Sequence, residues 1–328
     1  MMSSPRIDRR IGIAIVALAI VILPWVLPAY GSFELTYVGA YAIAILGLVI
    51  LTGLSGQISL GHGAFLAVGG YTVAILGQHA GVPYWLSICA AGVICGLLGL
   101  AIGLVASRLE GVYLALSTFA LAVATPSILK HFKGLTGGSG GITLPTIAAP
   151  GALHAGLSPE QWLYYLTWAI AGLLFFVASS LLRGRIGRSL RALRDNEVAA
   201  VSFGVSPSYY KTLAFGWSAA YAGIAGALVA VATAFVSPDS YGFAVSLALV
   251  TGAVLGGLDS LWGALIGAVI IEFLPLWAQK ISSAAPSIVY GLALIVVMLF
   301  APGGIAGFFR RVVVDLRRRL PTHSRRPL

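Results

Sequence analysis

The sequence predicts an all-α, polytopic membrane protein: a transmembrane helical bundle of about ten spans, some of them interrupted, with both termini cytoplasmic. Three observations carry this. Of 328 residues, 59% are hydrophobic and only 9% charged, with a mean hydropathy of +0.97; an average soluble domain is about 25% charged. Apolar segments of roughly the 20 residues needed to cross a bilayer recur ten times. The basic residues, finally, are distributed as if sorted by side. Together these exclude an ordinary soluble enzyme, a disordered chain and a disulfide scaffold.

The ten expected spans are 11–30, 35–54, 60–78, 84–106, 112–129, 161–182, 212–236, 241–258, 261–279 and 287–309. The second and third are broken by glycines, and only Asp259 and Ser260 separate the eighth from the ninth. Arg6, Arg9 and Arg10 ahead of an apolar stretch resemble a signal peptide, but no A-x-A-like site follows, so this segment is expected to stay as an uncleaved first helix. With the N-terminus inside and ten crossings, 17 of the 20 Lys and Arg fall on the inner side, leaving Lys130, Lys133 and Lys280 outside. That asymmetry is the positive-inside pattern. The whole chain, 1–328, is expected to be one transmembrane domain. It holds one long inner loop, 183–211, and ends in a basic cytoplasmic tail, 310–328.

The net charge of +10 would suggest nucleic acid in a soluble protein. Here the charges lie at span ends and in one loop rather than among stacking aromatics, so no nucleic-acid partner is expected. The tail reads as an anchor facing anionic membrane lipid. Cys89 and Cys95, both in the fourth span, are too far apart along a helix for a disulfide and read as small buried hydrophobes.

Helices in lipid pack through small residues. The fourth span carries Gly92, Gly96, Gly99 and Gly103 on one face, the seventh Ala219/Gly223 and Ala222/Gly226, the eighth Gly252/Gly256 and the ninth Gly263/Gly267. Two richer segments differ in kind. Residues 51–63 read L-T-G-L-S-G-Q-I-S-L-G-H-G, and 135–142 read L-T-G-G-S-G-G-I. Such runs do not hold a straight helix, and irregular backbone at membrane depth is tolerated only beside protein or a water-filled cavity. The first segment is therefore the candidate lining of a substrate pathway, through Gly56, Gln57, Ser59, Gly61 and His62. The second, through Thr136, Gly137, Gly138 and Ser139, is the candidate outer gate or partner contact.

Several chemistries are absent from the pattern. No lysine follows a glycine, so there is no P-loop. There is no H-E-x-x-H or G-x-S-x-G string, and the five histidines are scattered, so neither a metal site nor a catalytic residue is assigned. Glu272 is the only carboxylate well inside a span. An ion-driven transporter usually carries more, so the driving energy is expected to come from elsewhere.

The inner loop reads as an amphipathic helix from Ile186 to Phe203, with Arg188, Arg191, Arg194 and Asp195 on one face and Leu190, Leu193 and Val198 on another, stopped by Gly204 and Pro207. A helix projecting from a membrane domain is a docking element. At this point the sequence resembles a known family. Residues 197–204, E-V-A-A-V-S-F-G, are similar to the E-A-A-x-x-x-G coupling loop of ABC importer permeases, with Val198 inserted. The strings at 53–65, 135–142 and 187–200, K-T-L-A-F at 211–215 within 211–228, and A-P-G-G-I-A-G at 301–307 resemble, in order, the LivM-type permeases of bacterial branched-chain amino-acid importers. Urea and short-amide ABC permeases share much of this pattern, and a stand-alone secondary transporter is the alternative from another class.

The resemblance implies a bacterial inner-membrane subunit working by alternating access. Its partners would be a second homologous permease chain, two cytoplasmic ATPase subunits and an extracytoplasmic substrate-binding protein. This chain would hold no cofactor and have no catalytic role, ATP and Mg residing on the partner subunits. Arg191, Arg194, Asp195 and Glu197 would carry docking charge, Ala199 and Ala200 the loop's core, and Gly204 its turn.

Overall fold

The computed structural model describes residue 18 and residues 20–109, 111–145, 156–280, 291–292, 295–296, 299 and 304–307. Most of the first expected span, most of the tenth and all of the basic tail lie outside these residues. The described chain is an all-α bundle, in which seven helical stretches are long and apolar enough to cross a membrane.

Helix α1, Ala29–Leu48, starts directly after Pro28 and passes into a π-helical turn, Val49–Leu54. It begins six residues before the expected start at residue 35, because Glu34 lies inside it as a half-buried side chain rather than at its boundary. α1 is almost wholly enclosed from Val38 onward, as are its core neighbours Ile43, Ile45 and Leu46. Irregular backbone then leads to α2, His62–Ala80; α3, Tyr84–Ala106, comes next, launched by Pro83. α4, Val112–His131, and α5, Pro159–Arg183, follow. Ser158 and Gln161 form a reciprocal capping box at the start of α5, which satisfies two otherwise orphaned amides.

The inner loop is not one helix. It forms α6, Arg185–Asp195, and α7, Glu197–Ser202, separated by Asn196 in an extended conformation. The Asn196 side chain accepts from the Ala199 amide at 3.0 Å, so it ends one helix and caps the next. Gly204 closes the element at φ +81°, a left-handed conformation suited to glycine. α8, Pro207–Thr233, is the second enclosed helix; α9, Phe243–Gly256, and α10, Leu261–Gln279, complete the described bundle.

The expected small-residue stripes find one another. α3 packs along α8, with Gly99 facing Ala219, Gly103 facing Phe215 and Gly92 facing Ile224, so an added Cβ at any of these would collide. Gly256 faces Gly263 across α9 and α10, and Gly252 faces Gly267. Backbones that approach this closely gain dispersion contacts where lipid offers no hydrophobic drive. Of the two cysteines, Cys95 is buried against the Phe65 carbonyl, whereas Cys89 is exposed on the outer face of α3. The expectation that both are buried is thus corrected for Cys89. Six residues put it on a different side of the helix from Cys95, away from α8.

The two ends of the bundle differ chemically. One end gathers Arg108, α6, α7 and the π turn, and Ser107 meets Ser208 there at 3.2 Å. The other carries tryptophans exposed at helix ends, Trp25, Trp85 and Trp277, as side chains at a membrane–water boundary do. A two-residue ladder, β1 (Ile142–Thr143) against β2 (Phe235–Val236), closes that end.

Candidate functional site

The candidate site is built where the basic end meets the first glycine-rich segment. The π turn ends at Leu54, and Gly56 takes φ +72°. Gln57 follows with its side chain buried. Its Nε2 donates to Ser55 Oγ at 2.8 Å and to the Lys211 carbonyl at 3.1 Å, tying the break to the first turn of α8. Arg194, near the end of α6, reaches into the same corner. Its guanidinium donates to the Gly53 carbonyl and, at 2.7 Å, to Asp259 in the α9–α10 link. The hydrogen bond from Asp259 is the main cause holding the Arg194 pKa above its ordinary value, so the side chain stays charged. One residue of the projecting helix therefore touches both the broken helix and the link between two others.

The remaining charges of the loop also point inward. Lys211 Nζ donates to both Glu197 oxygens, at 2.9 and 2.7 Å, and the lysine side chain is only 12% exposed. Arg191 donates to the Leu182 carbonyl and Arg188 to that of Arg183 at 3.1 Å, covering the open C-terminal carbonyls of α5. Asp195 meets Arg194 at 3.2 Å and is otherwise exposed. Ala200 is buried, as are Leu190 and Leu193. Val198 does not share their face: it is 79% exposed, and Phe203 is 89% exposed. The sequence reading placed Val198 with the leucines because it assumed one continuous helix; the break at Asn196 turns it outward. Exposed Val198, Val201 and Phe203 were missed as a group, although a surface-inappropriate Phe just ahead of a turn glycine was the available signal.

Deeper along the segment, Ser59 and His62 are fully enclosed. Ser218 Oγ donates to the Gly47 carbonyl at 2.7 Å, so it accepts from His62 Nε2, also at 2.7 Å, leaving Nδ1 to accept from Ser59 at 3.3 Å. This chain of donors defines a neutral, Nε2-protonated imidazole. Gly61 lies against the Thr118 carbonyl, and Thr118 Oγ1 accepts from the Leu60 amide at 3.0 Å. The segment 53–62 is therefore bound to α4, α6 and α8 by hydrogen bonds rather than by packing alone.

The second glycine-rich segment lies at the opposite end. A short helical turn, Lys133–Thr136, and a 3₁₀ turn, Gly138–Gly140, lead into β1. Thr136 is buried and donates to the Leu129 carbonyl at 2.6 Å, while Gly137 and Gly138 have positive φ and Ser139 is exposed. No group of three or more His, Cys, Asp or Glu that could hold a metal occurs among the described residues.

The described residues thus form a membrane-type helical bundle with a broken, hydrogen-bonded helix beside a two-part helical loop. Comparison with known proteins gives the class: residues 32–301 match the family model of the branched-chain amino acid transport system / permease component, and the chain belongs to that family. It is 32% identical to the high-affinity branched-chain amino acid transport system permease protein LivM of Escherichia coli and 31% identical to LivM of Salmonella typhimurium, in each case over 89% of this chain and 74% of the relative. LivH of Salmonella typhimurium is 28% identical over 81% of this chain and 91% of its own length. No solved structure matches at a significant level.

Proposed function

We propose that this chain is the membrane-spanning permease subunit of an ABC importer in the bacterial inner membrane, moving branched-chain or other neutral amino acids into the cytoplasm. The observation that carries the reading is the two-sided construction of α6 and α7. One side is braced to the bundle through Arg194, Glu197 and Lys211, and the other presents Val198 and Phe203 to solvent. An exposed apolar knob on a charged, fixed base is the arrangement a docking partner needs. Family membership supports separate ATPase subunits as that partner, with a second permease chain and an extracytoplasmic binding protein completing the assembly.

In this mechanism, closure of the ATPases pushes α6 and α7. Arg194 passes the displacement to Gly53 at the helix break and to Asp259 at the α9–α10 link. Gly56, Gln57, Ser59, Gly61 and His62 border the pathway at that break, and Thr136, Gly137, Gly138 and Ser139 contribute an outer gate or partner contact. Ten spans with both termini cytoplasmic, a coupling loop at 183–211 and a lipid-facing tail at 310–328 complete the proposed topology. ATP and Mg are held by the partner subunits.

The test is a mild-detergent pull-down of the tagged chain from its own host. Co-purification of a P-loop ATPase and a second permease, with ATP-dependent leucine uptake by the assembly, is expected. Val198→Ser/Phe203→Ser should reach the membrane in normal amount yet lose the ATPase. Uptake that follows an ion gradient and ignores ATP would overturn the proposal.

A further inference from the structure

A cavity of about 320 Å³ lies between α1, α9 and α10, bordered by Tyr41, Val245, Ala248, Ile271, Glu272 and Pro275 among others. This is at the lower end of the range of small-molecule sites. A second cavity of about 150 Å³ shares Tyr41 and Val245 with the first and runs toward the tryptophan-bearing end past Tyr37, Leu66, Val229 and Tyr241. The two differ in kind. The second is lined by aliphatic and aromatic side chains together with Thr233 and Ser240, whereas the first contains a carboxylate.

Glu272 is half-buried within α10, about two turns before its end. None of the four ion pairs among the described residues includes it. Among the described residues, Glu34, another carboxylate, on α1, acts on it electrostatically. A carboxylate held inside a span without a basic partner is costly, and such residues mark ligand or ion pathways. A carboxylate bordering a cavity draws a cation into it, and the adjoining cavity sets what that cation must be attached to.

Resting on the permease reading above, we propose that Glu272 is a substrate-recognition residue. Its carboxylate receives the ammonium group of a neutral aliphatic amino acid in the larger cavity, and the side chain of that amino acid lies toward Val245, Leu66 and Val229 in the smaller one. This places the recognition step beside α1, α9 and α10, toward the end opposite the coupling element. The chemistry is charge pairing with Leu66, Val229 and Val245 alongside, so a molecule lacking either the cation or the aliphatic group is held poorly.

The test uses the full transporter in membranes. Cys89, the exposed native thiol, is replaced by alanine, and Ala248→Cys puts a reporter thiol in the cavity. It is reacted with cationic aminoethyl methanethiosulfonate and with the anionic sulfonatoethyl reagent, each rate normalised to that of a free thiol. The cation should react about tenfold faster through the field of the nearby carboxylate, and Glu272→Gln, which preserves volume, should erase the preference. Glu272→Gln in the otherwise native chain should also raise the KM for leucine uptake at unchanged membrane abundance, with Glu272→Asp restoring part of it. Equal normalised rates with Glu272 in place, no reaction with either reagent, or a Glu272→Gln chain with unchanged KM would each overturn the assignment. A reporter chain that shows the cation preference, while the native chain takes up no amino acid, would instead overturn the permease reading and leave the cation site.

Discussion

The two glycine-rich segments have nearly the same composition and opposite construction. In the first, the glycines admit neighbours. Gly53 lies against the Leu258 carbonyl and Gly61 against that of Thr118, and the interleaved polar side chains Gln57, Ser59 and His62 are buried and bound to other helices. In the second, Gly137, Gly138 and Gly141 supply left-handed backbone for a cap at the end of the bundle, held by Thr136 and a two-residue ladder. Close approach dominates in the first segment, where only Gly56 has a positive φ, and left-handed geometry dominates in the second, where Gly141 also lies against the Val236 carbonyl. The first segment is hydrogen-bonded to α6 through Arg194, and the second to the end of α4 through Thr136 and to the strand after α8 through the two-residue ladder.

Substitutions that separate these two uses sharpen the comparison. The largest effect is expected at Gly53→Val, whose side chain would be driven into the Leu258 backbone beside the Arg194 contact. Overpacking of this kind costs about 3 kcal/mol or more where backbone cannot yield, and the folded protein recovered from membranes should fall severalfold. Gly140→Val in the second segment meets open space and should leave that yield unchanged. Equal losses would dissolve the distinction.

Next is Ser218→Ala, which leaves His62 Nε2 and the Gly47 carbonyl without their shared partner in a dry interior. The expected cost is about 1–3 kcal/mol, read as a lowered Tm of the detergent-solubilised protein. Gly141→Ala comes third. Its φ of +71° and the proximity of the Val236 carbonyl oppose a Cβ, and a strained backbone position costs on the order of 1–2 kcal/mol, again read by Tm.

Arg194→Ala tests the link itself. Its ion pair with Asp259 is a third to two-thirds exposed and is worth about 1 kcal/mol at most, so Tm should move by only a few degrees. Transport should nonetheless fall about tenfold or more, because the contact with Gly53 is lost. A proportionate loss of stability and transport would make Arg194 merely structural. The smallest effect belongs to Lys130→Ala at the opposite end. Its pair with Asp239 is exposed and contributes about 0–1 kcal/mol, so neither Tm nor uptake should change measurably.

Much of the fold is legible in local sequence. α3 and α10 occupy the expected 84–106 and 261–279 because Pro83 and Ser260 mark abrupt changes from polar linker to apolar run. The break after residue 54 follows from the density of Gly, Ser and Gln, and the turn at Gly204 from its glycine. The inner loop shows where local reading stops. Its basic periodicity is real, but Asn196 both interrupts the helix and caps the next one, and a single-helix wheel then puts Val198 on the wrong face.

The sequence by itself determined that the chain is a polytopic helical membrane protein, where most of its apolar helices lie, that the helix ahead of Gly56 breaks, and that it carries no P-loop. Those features depend on composition and on periods of a few residues. Only the tertiary structure decided which charges face inward. Arg194 reaches Gly53 across 141 positions of sequence, Glu197 turns to Lys211 rather than to solvent, and Glu272 borders a cavity without an ion-pair partner among the described residues. These outcomes depend on how each helix is rotated about its axis against neighbours distant in the chain. That rotation is fixed by the meeting of small-residue stripes such as Gly99 with Ala219, which no local pattern can orient.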